Sequence, residues 1–268
     1  MTWRISLFFL LTITGCTRHP AGETADVVVT NTLLEVAVRD LAGDRLTVMS
    51  LATPGMCPGH FDLKPSHVDL LRHAQVIGLF DFQRSLAQRL PKSQEKGDTV
   101  VLLTPNGGLA VPATYLDLCR QMSAALGQRF PELQDSLQAS LIRIEQRLQA
   151  LNQDIKQQTA TLAQQGCPVL CSIHQKAFLR SLNCLPVDTF AGSDAETLVD
   201  IESALEAGQA SSIRLIAANE PEGTALAQAM AEQLDVPMVV LGNFPGAGET
   251  FDDMVRRNVT MVLEALSL

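Results

Sequence analysis

A thiol and an imidazole three residues apart, Cys57 and His60, sit in the stretch Thr53-Pro54-Gly55-Met56-Cys57-Pro58-Gly59-His60-Phe61-Asp62-Leu63-Lys64-Pro65-Ser66. Such a pair suits zinc, Cu(I) or another softer metal ion better than manganese. Three prolines and two glycines constrain the surrounding loop, because proline sets φ and glycine admits left-handed or closely approached backbone. Cys171 and His174 repeat the spacing in the second half of the chain, and Glu220 stands in Asn219-Glu220-Pro221. Zinc as a rule takes four ligands, and His60, His174, Cys57 and Glu220 could supply a mixed set. Ligation needs the Cys57 thiolate, so affinity should fall as pH drops. Plainer readings stand beside these: cysteine is commonly buried for packing, and Glu220 reads equally as a neighbour of a helix N-cap.

These residues need elements to position them. Residues 26–30, 46–51, 75–79 and 99–103 read as short apolar strands, with helical segments at 33–41, 66–73 and 81–90. Pro112 opens a helix whose apolar side carries Tyr115, Leu118, Cys119 and Met122, so Cys119 reads as core. Leu133, Leu137, Leu141, Ile144, Leu148, Leu151 and Ile155 then recur at spacings of four and three, with no Gly or Pro between Pro131 and Gly166. The pattern predicts roughly 34 residues of helix, about 50 Å long. A two-stranded coiled coil shares this spacing, but βα segments flank the helix on both sides, which favours a spine. Strands at 168–171, 187–190, 213–218 and 238–241 alternate with helices at 176–182, 196–207, 222–234 and 251–266. The expected fold is α/β, two lobes each with a mostly parallel sheet flanked by helices, joined by one long helix. Loops after the strands of a parallel sheet collect on one edge, where facing lobes share a cleft. Asn106, Cys171 and Asn243 fall on such loops and are expected to line it. His67 and His73 read as solvated helix residues.

The formal charge is −9 with no Lys/Arg cluster, which argues against a nucleic-acid partner. Hydrophobic content of 46% with only 4% aromatic suits aliphatic α/β packing. Residues 1–15 combine a basic start at Arg4 with an apolar stretch too short to span a bilayer, and read as a signal peptide. Ile13-Thr14-Gly15-Cys16 resembles a bacterial lipobox, which makes Cys16 the expected lipidation site and 16–25 a tether carrying His19. Residues 26–130 then form the N-terminal lobe, 131–166 the linking helix and 167–268 the C-terminal lobe. The five cysteines beyond Cys16 leave at least one thiol free or ligating. A Cys171–Cys184 or Cys167–Cys171 disulfide suits an oxidising compartment, and sequence alone assigns neither. An enzyme with Cys57 or Cys171 as nucleophile beside His174 lacks support, since nothing orients a Cys–His pair or supplies an oxyanion hole. Neither a Gly-rich phosphate loop nor a His-Glu-x-x-His motif occurs.

A strand followed by Pro-Gly-x-x-Pro and then His60-Phe61-Asp62-Leu63-Lys64-Pro65-Ser66 resembles the first metal loop of the TroA-like (cluster A-I) zinc and manganese solute-binding proteins of ABC transporters. In that family the His follows the second Pro directly; here Gly59 intervenes, and Cys57 stands where the family usually has Asp. The family's second His would fall near Thr104-Pro105-Asn106-Gly107-Gly108, which has no imidazole. Its third ligand has a similar context in His174-Gln175-Lys176-Ala177-Phe178, and its last, an Asp, is replaced at Gly242 or Asn243. The resemblance implies a divergent extracytoplasmic receptor, monomeric and membrane-anchored by lipid. It would deliver a transition metal ion, Zn²⁺ foremost, to an ABC permease. The missing His and Asp keep open a cleft adapted to a metal complex or small organic ligand.

Overall fold

The computed structural model describes residues 24–54, 56, 63–90, 99–192 and 196–267. Cys16, Cys57 and His60 lie outside them.

The first half runs β1 (Val27–Val29), α1 (Thr32–Ala42), β2 (Val48–Ser50), α2 (Pro65–His73), β3 (Val76–Phe80), α3 (Arg84–Ala87), β4 (Thr99–Leu103) and α4 (Pro112–Arg129). Then come α5 (Gln134–Gln158), α6 (Ala160–Gln165), β5 (Pro168–Ser172), α7 (Lys176–Ser181), β6 (Leu185–Phe190), α8 (Leu198–Ala210), β7 (Leu215–Asn219), α9 (Ala225–Leu234), β8 (Met238–Leu241) and α10 (Phe251–Ser267). Local signals set many of these ends. Asn31 caps α1 by accepting the Leu34 N–H at 3.0 Å, and Thr197 and Asp200 form a reciprocal capping box on α8.

The strands form two parallel four-stranded sheets, ordered β2-β1-β3-β4 and β6-β5-β7-β8. In both, the first strand of the half lies inside and the chain winds outward first one way, then the other. The carboxyl ends of β1/β3 and of β5/β7 are therefore switch points, where diverging loops leave a crevice. α/β architecture, two parallel sheets and a long linking helix agree with the expectation from sequence.

A single apolar core runs from β1 through α1, α4 and α5 to β5, α7 and α10, so the inner faces of both sheets share it. Each outer face has its own cluster, under α2 and α3 in one lobe and α8 and α9 in the other. The stripe of α5 is buried within the chain at Leu137, Ile144, Leu148, Leu151 and Ile155; no second chain is needed to cover it, which removes the coiled-coil alternative. The linking helix is shorter than sequence predicts. A 3₁₀ turn spans Pro131–Leu133, α5 has 25 residues, and Thr159 separates it from α6. Thr159 is fully buried and its hydroxyl donates to the Ile155 carbonyl at 2.9 Å. A β-branched residue bonding back one turn loosens a helix, here to φ −97°, ψ 7°.

Polar contacts join the lobes across this spine. The Arg147 guanidinium on α5 donates to both Asp40 oxygens on α1, at 3.1 and 2.5 Å, and pairs with Asp252 on α10 at 3.2 Å. Tyr115 on α4 donates to Asp40 at 2.7 Å, and its ring stacks on Phe251 at 4.0 Å and 3°. Asp154 pairs with Arg256, and the Thr32 hydroxyl donates to the Pro245 carbonyl at 2.8 Å. A Cβ on Gly108 would stand 2.9 Å from that of Ala177, so only glycine permits this approach of the 104–111 loop to α7.

Candidate functional site

The C-terminal switch point carries the chemistry. Ser172, the last residue of β5, is fully buried. Its hydroxyl donates to Glu222 Oε2 at 2.6 Å and accepts the His174 N–H at 3.2 Å. His174 Nε2 faces Glu222 Oε1 at 3.4 Å, with the imidazole 59% exposed and the carboxylate 18%. One serine thus fixes the loop after β5 and the loop after β7 against each other, leaving an imidazole nitrogen and a carboxylate oxygen side by side.

Beneath them lies a floor of amides. Gln175, fully buried, donates through Nε2 to Asn219 Oδ1 at 3.0 Å, the Leu241 carbonyl at 3.1 Å and Asn243 Oδ1 at 3.2 Å. Asn243 in turn donates to Asn219 at 3.0 Å. This knot ties the carboxyl ends of β5, β7 and β8 together. Gln175→Leu should lower stability by about 1–2 kcal/mol, because buried acceptors lose their donor while the unpartnered Gln175 Oε1 goes with it. Thermal melting measures this, and an unchanged Tm would mean that the knot carries no stability.

Above the floor is a cavity of about 340 Å³ between the lobes. His174, Asn219, Pro221, Glu222, Asn243 and Phe244 line one side, and Phe82, Pro105, Gly107 and Leu109 the other. His174 and Asn243 thus both line this cleft.

Three other residues do not. Cys171 points into the shared core, fully buried, and burial pushes its thiol up to about 12. It sits one residue before the end of β5 on the inner face, so it lines no cleft and stays a neutral thiol at pH 7. Asn106 turns outward and donates to Asp117 on α4 at 2.8 Å, leaving its neighbours Pro105 and Gly107 in the lining. Glu220 is exposed and its Oε2 lies over Gly242 beside the Arg257 guanidinium, 3.0 and 3.1 Å from where a Cβ would stand. The 3₁₀ turn at Glu220–Glu222 sends the second carboxylate of Glu-Pro-Glu into the cavity. Sequence showed both carboxylates, but only the turn chooses between them. Ser172 and Phe82 carried no signal that could have singled them out. His67 and His73 sit on α2, where the His67 ring accepts the Lys64 N–H at 3.3 Å and the His73 ring lies 2.7 Å from the Asp69 carbonyl. Among the described residues, no three His, Cys, Asp or Glu side chains are grouped to hold a metal ion, and no helix is long and apolar enough to cross a membrane.

Two sheets meeting over such a cleft define a two-lobed binding protein, and solved structures share the fold. A structure of ZnuA superposes with TM-score 0.76 at 15% identity, covering 91% of this chain and 100% of that one. The Cd-bound periplasmic metal-binding protein of Candidatus Liberibacter asiaticus gives 0.77 at 11%, covering 90% and 98%. The periplasmic zinc-binding protein TroA of Treponema pallidum gives 0.73 at 13%, covering 91% and 99%. No curated protein matches the sequence. The family described as "ZnuA: Zinc-uptake complex component A periplasmic" matches residues 27–265, and the chain belongs to it. This is a family of periplasmic metal-binding receptors, not of enzymes.

Proposed function

We propose that the protein is an extracytoplasmic lipoprotein receptor that captures a transition metal ion, Zn²⁺ foremost, in the interlobe cleft for an ABC permease. The observation that carries this reading is the His174–Glu222 pair, held by Ser172 at a switch point and roofed by the other lobe. His60 and Cys57, between β2 and α2 in the sequence, complete the set, and Cys16 bears the lipid. Glu222 takes the place first assigned to Glu220. Ser172 occupies one Glu222 oxygen and leaves the other turned toward His174, the outer-sphere support that ligating carboxylates use.

Binding only the folded state stabilises it by about 2.7 kcal/mol at a hundredfold excess over Kd. With Zn²⁺ the wild type should therefore melt roughly 5–10 °C higher. His60→Ala, His174→Ala and Glu222→Gln should each lose most of that gain, while melting close to the wild type without metal. Full metal-dependent shifts in all three variants would sink the bridging site.

One observation favours a second cargo, a metal complex or small organic ligand. The cavity of about 340 Å³ is lined by Phe82, Pro105, Leu109, Pro221 and Phe244 over a neutral amide floor, whereas a single water occupies about 30 Å³. Native mass spectrometry with elemental analysis separates the two: a bare ion adds only its own mass, a complex adds an organic component.

A further inference from the structure

Cys167 and Cys184 enter adjacent parallel strands side by side. β5 and β6 pair Pro168 with Leu185, and the Leu185 N–H donates to the Cys167 carbonyl at 2.7 Å, so the two cysteines are the preceding pair of the same ladder. Neighbouring strands run about 4.8 Å apart, inside the Cα separation of roughly 4.4–6.8 Å that a disulfide spans. Partners in a parallel ladder face the same side. Both thiols belong to the shared core, Cys167 fully buried and Cys184 5% exposed, with Sγ atoms 3.4 Å apart. Cys171 is paired with Thr189 further along. Four residues of strand put it about 13 Å from Cys167 and as far along the ladder from Cys184. Neither disulfide entertained from the sequence can close without dismantling β5, and the structure offers the third combination.

We infer that Cys167 and Cys184 are a disulfide-forming pair that cross-links β5 to β6 in the extracytoplasmic compartment. The ring it closes, residues 167–184, contains Ser172, His174 and Gln175, so the cross-link holds the segment that builds the C-terminal half of the cleft. The Cys184 S–H donates to Cys167 Sγ, which holds the Cys167 thiol below its ordinary value and pushes Cys184 up. Cys167 is thus the first thiolate to attack. The oxidant is a disulfide, of a thiol oxidoreductase or of a small dithiol, encountered before α5 and α10 seal the core. Cys167 sulfur bonds to one oxidant sulfur and the other leaves as thiolate. The Cys184 thiolate then attacks Cys167 sulfur, expelling the oxidant's first sulfur. Two protons and two electrons leave the pair, and the oxidant departs as two thiols.

The test is made on full-length protein exported to the periplasm, quenched in acid, denatured and alkylated without reductant, then digested with trypsin. Peptides 157–176 and 181–214 should be found linked, with Cys119 and Cys171 alkylated. Because Cys171 shares a peptide with Cys167, the link must persist in Cys171→Ala. Reductant should lower the wild-type Tm on the order of 5–10 °C, and a Cys167→Ala/Cys184→Ala variant should melt the same with and without it. Alkylation of both Cys167 and Cys184 in exported protein, or a link that disappears in Cys171→Ala, overturns the assignment. Should the double variant fail to fold, the peptide map and the reductant response of the wild type decide the matter.

Discussion

Phe251→Ala is expected to lower stability by about 3–5 kcal/mol, a fall in Tm on the order of 10 °C. Phe251 opens α10, is fully buried, and lies flat on Tyr115, itself fully buried on α4. Truncation removes the ring, leaves a cavity between α4 and α10, and exposes the Tyr115–Asp40 hydrogen bond to water. Stacking adds about 0.5–1.5 kcal/mol beyond area burial, which puts the loss near the upper end. Phe82→Ala is the control: that ring is 59% exposed at the cleft and stacks on Phe80 at 5.1 Å, so its loss should cost only about 0.5–1.5 kcal/mol. Because one core serves both sheets, Phe251→Ala should still unfold in one transition. A loss below about 1 kcal/mol, or two separated transitions, would show that the lobes do not share a core.

Arg147→Met should cost about 2–3 kcal/mol at pH 7. Removing one partner from a buried charge cluster costs roughly 3–5 kcal/mol, and the figure is reduced here because the Arg147 side chain is 36% exposed. The sign of its pH dependence follows from the Asp252 carboxyl left behind. Burial raises the Asp252 carboxyl above its ordinary value, and Arg147 opposes that rise. A carboxyl raised in the folded state favours folding below its unfolded value and loses that contribution as pH climbs through the folded value. Without Arg147 the rise is larger, so neutral pH weakens the variant more than the wild type. The Tm gap should narrow as pH falls from 7 toward 4. A gap that stays constant or widens on acidification would remove Asp252 from the account.

Periodicity carried most of the fold. The four-and-three spacing from Leu133 to Ile155 and the short β-branched runs such as Val27-Val28-Val29 gave spine and strands, because burial on one face leaves a repeat that residue types reveal. The break at Thr159 was invisible, since threonine bonds back to a carbonyl only where tertiary burial holds it. At the site, His174 was legible from its position after a strand. Glu222 was not, because two carboxylates flank Pro221 and a single turn decides which faces the cleft. Cys171 misled for the converse reason: its spacing from His174 suggests a shared ligand role, but the side chains of a strand alternate, and inner-face residues of a buried sheet go to the core.

The spine has a consequence for how occupancy is communicated. α5 carries neither glycine nor proline and is riveted to both lobes by Arg147, while the Tyr115–Phe251 stack ties α4 to α10 beside it, so a sharp bend would break backbone bonds with nothing to relieve them. Capturing cargo then does little to the silhouette of the molecule. Loaded and empty receptors present nearly the same outline, and a partner that must tell them apart has to inspect the mouth of the cleft itself. At that mouth Phe82 leaves a greasy ring in water, and the message of fullness is legible there or nowhere.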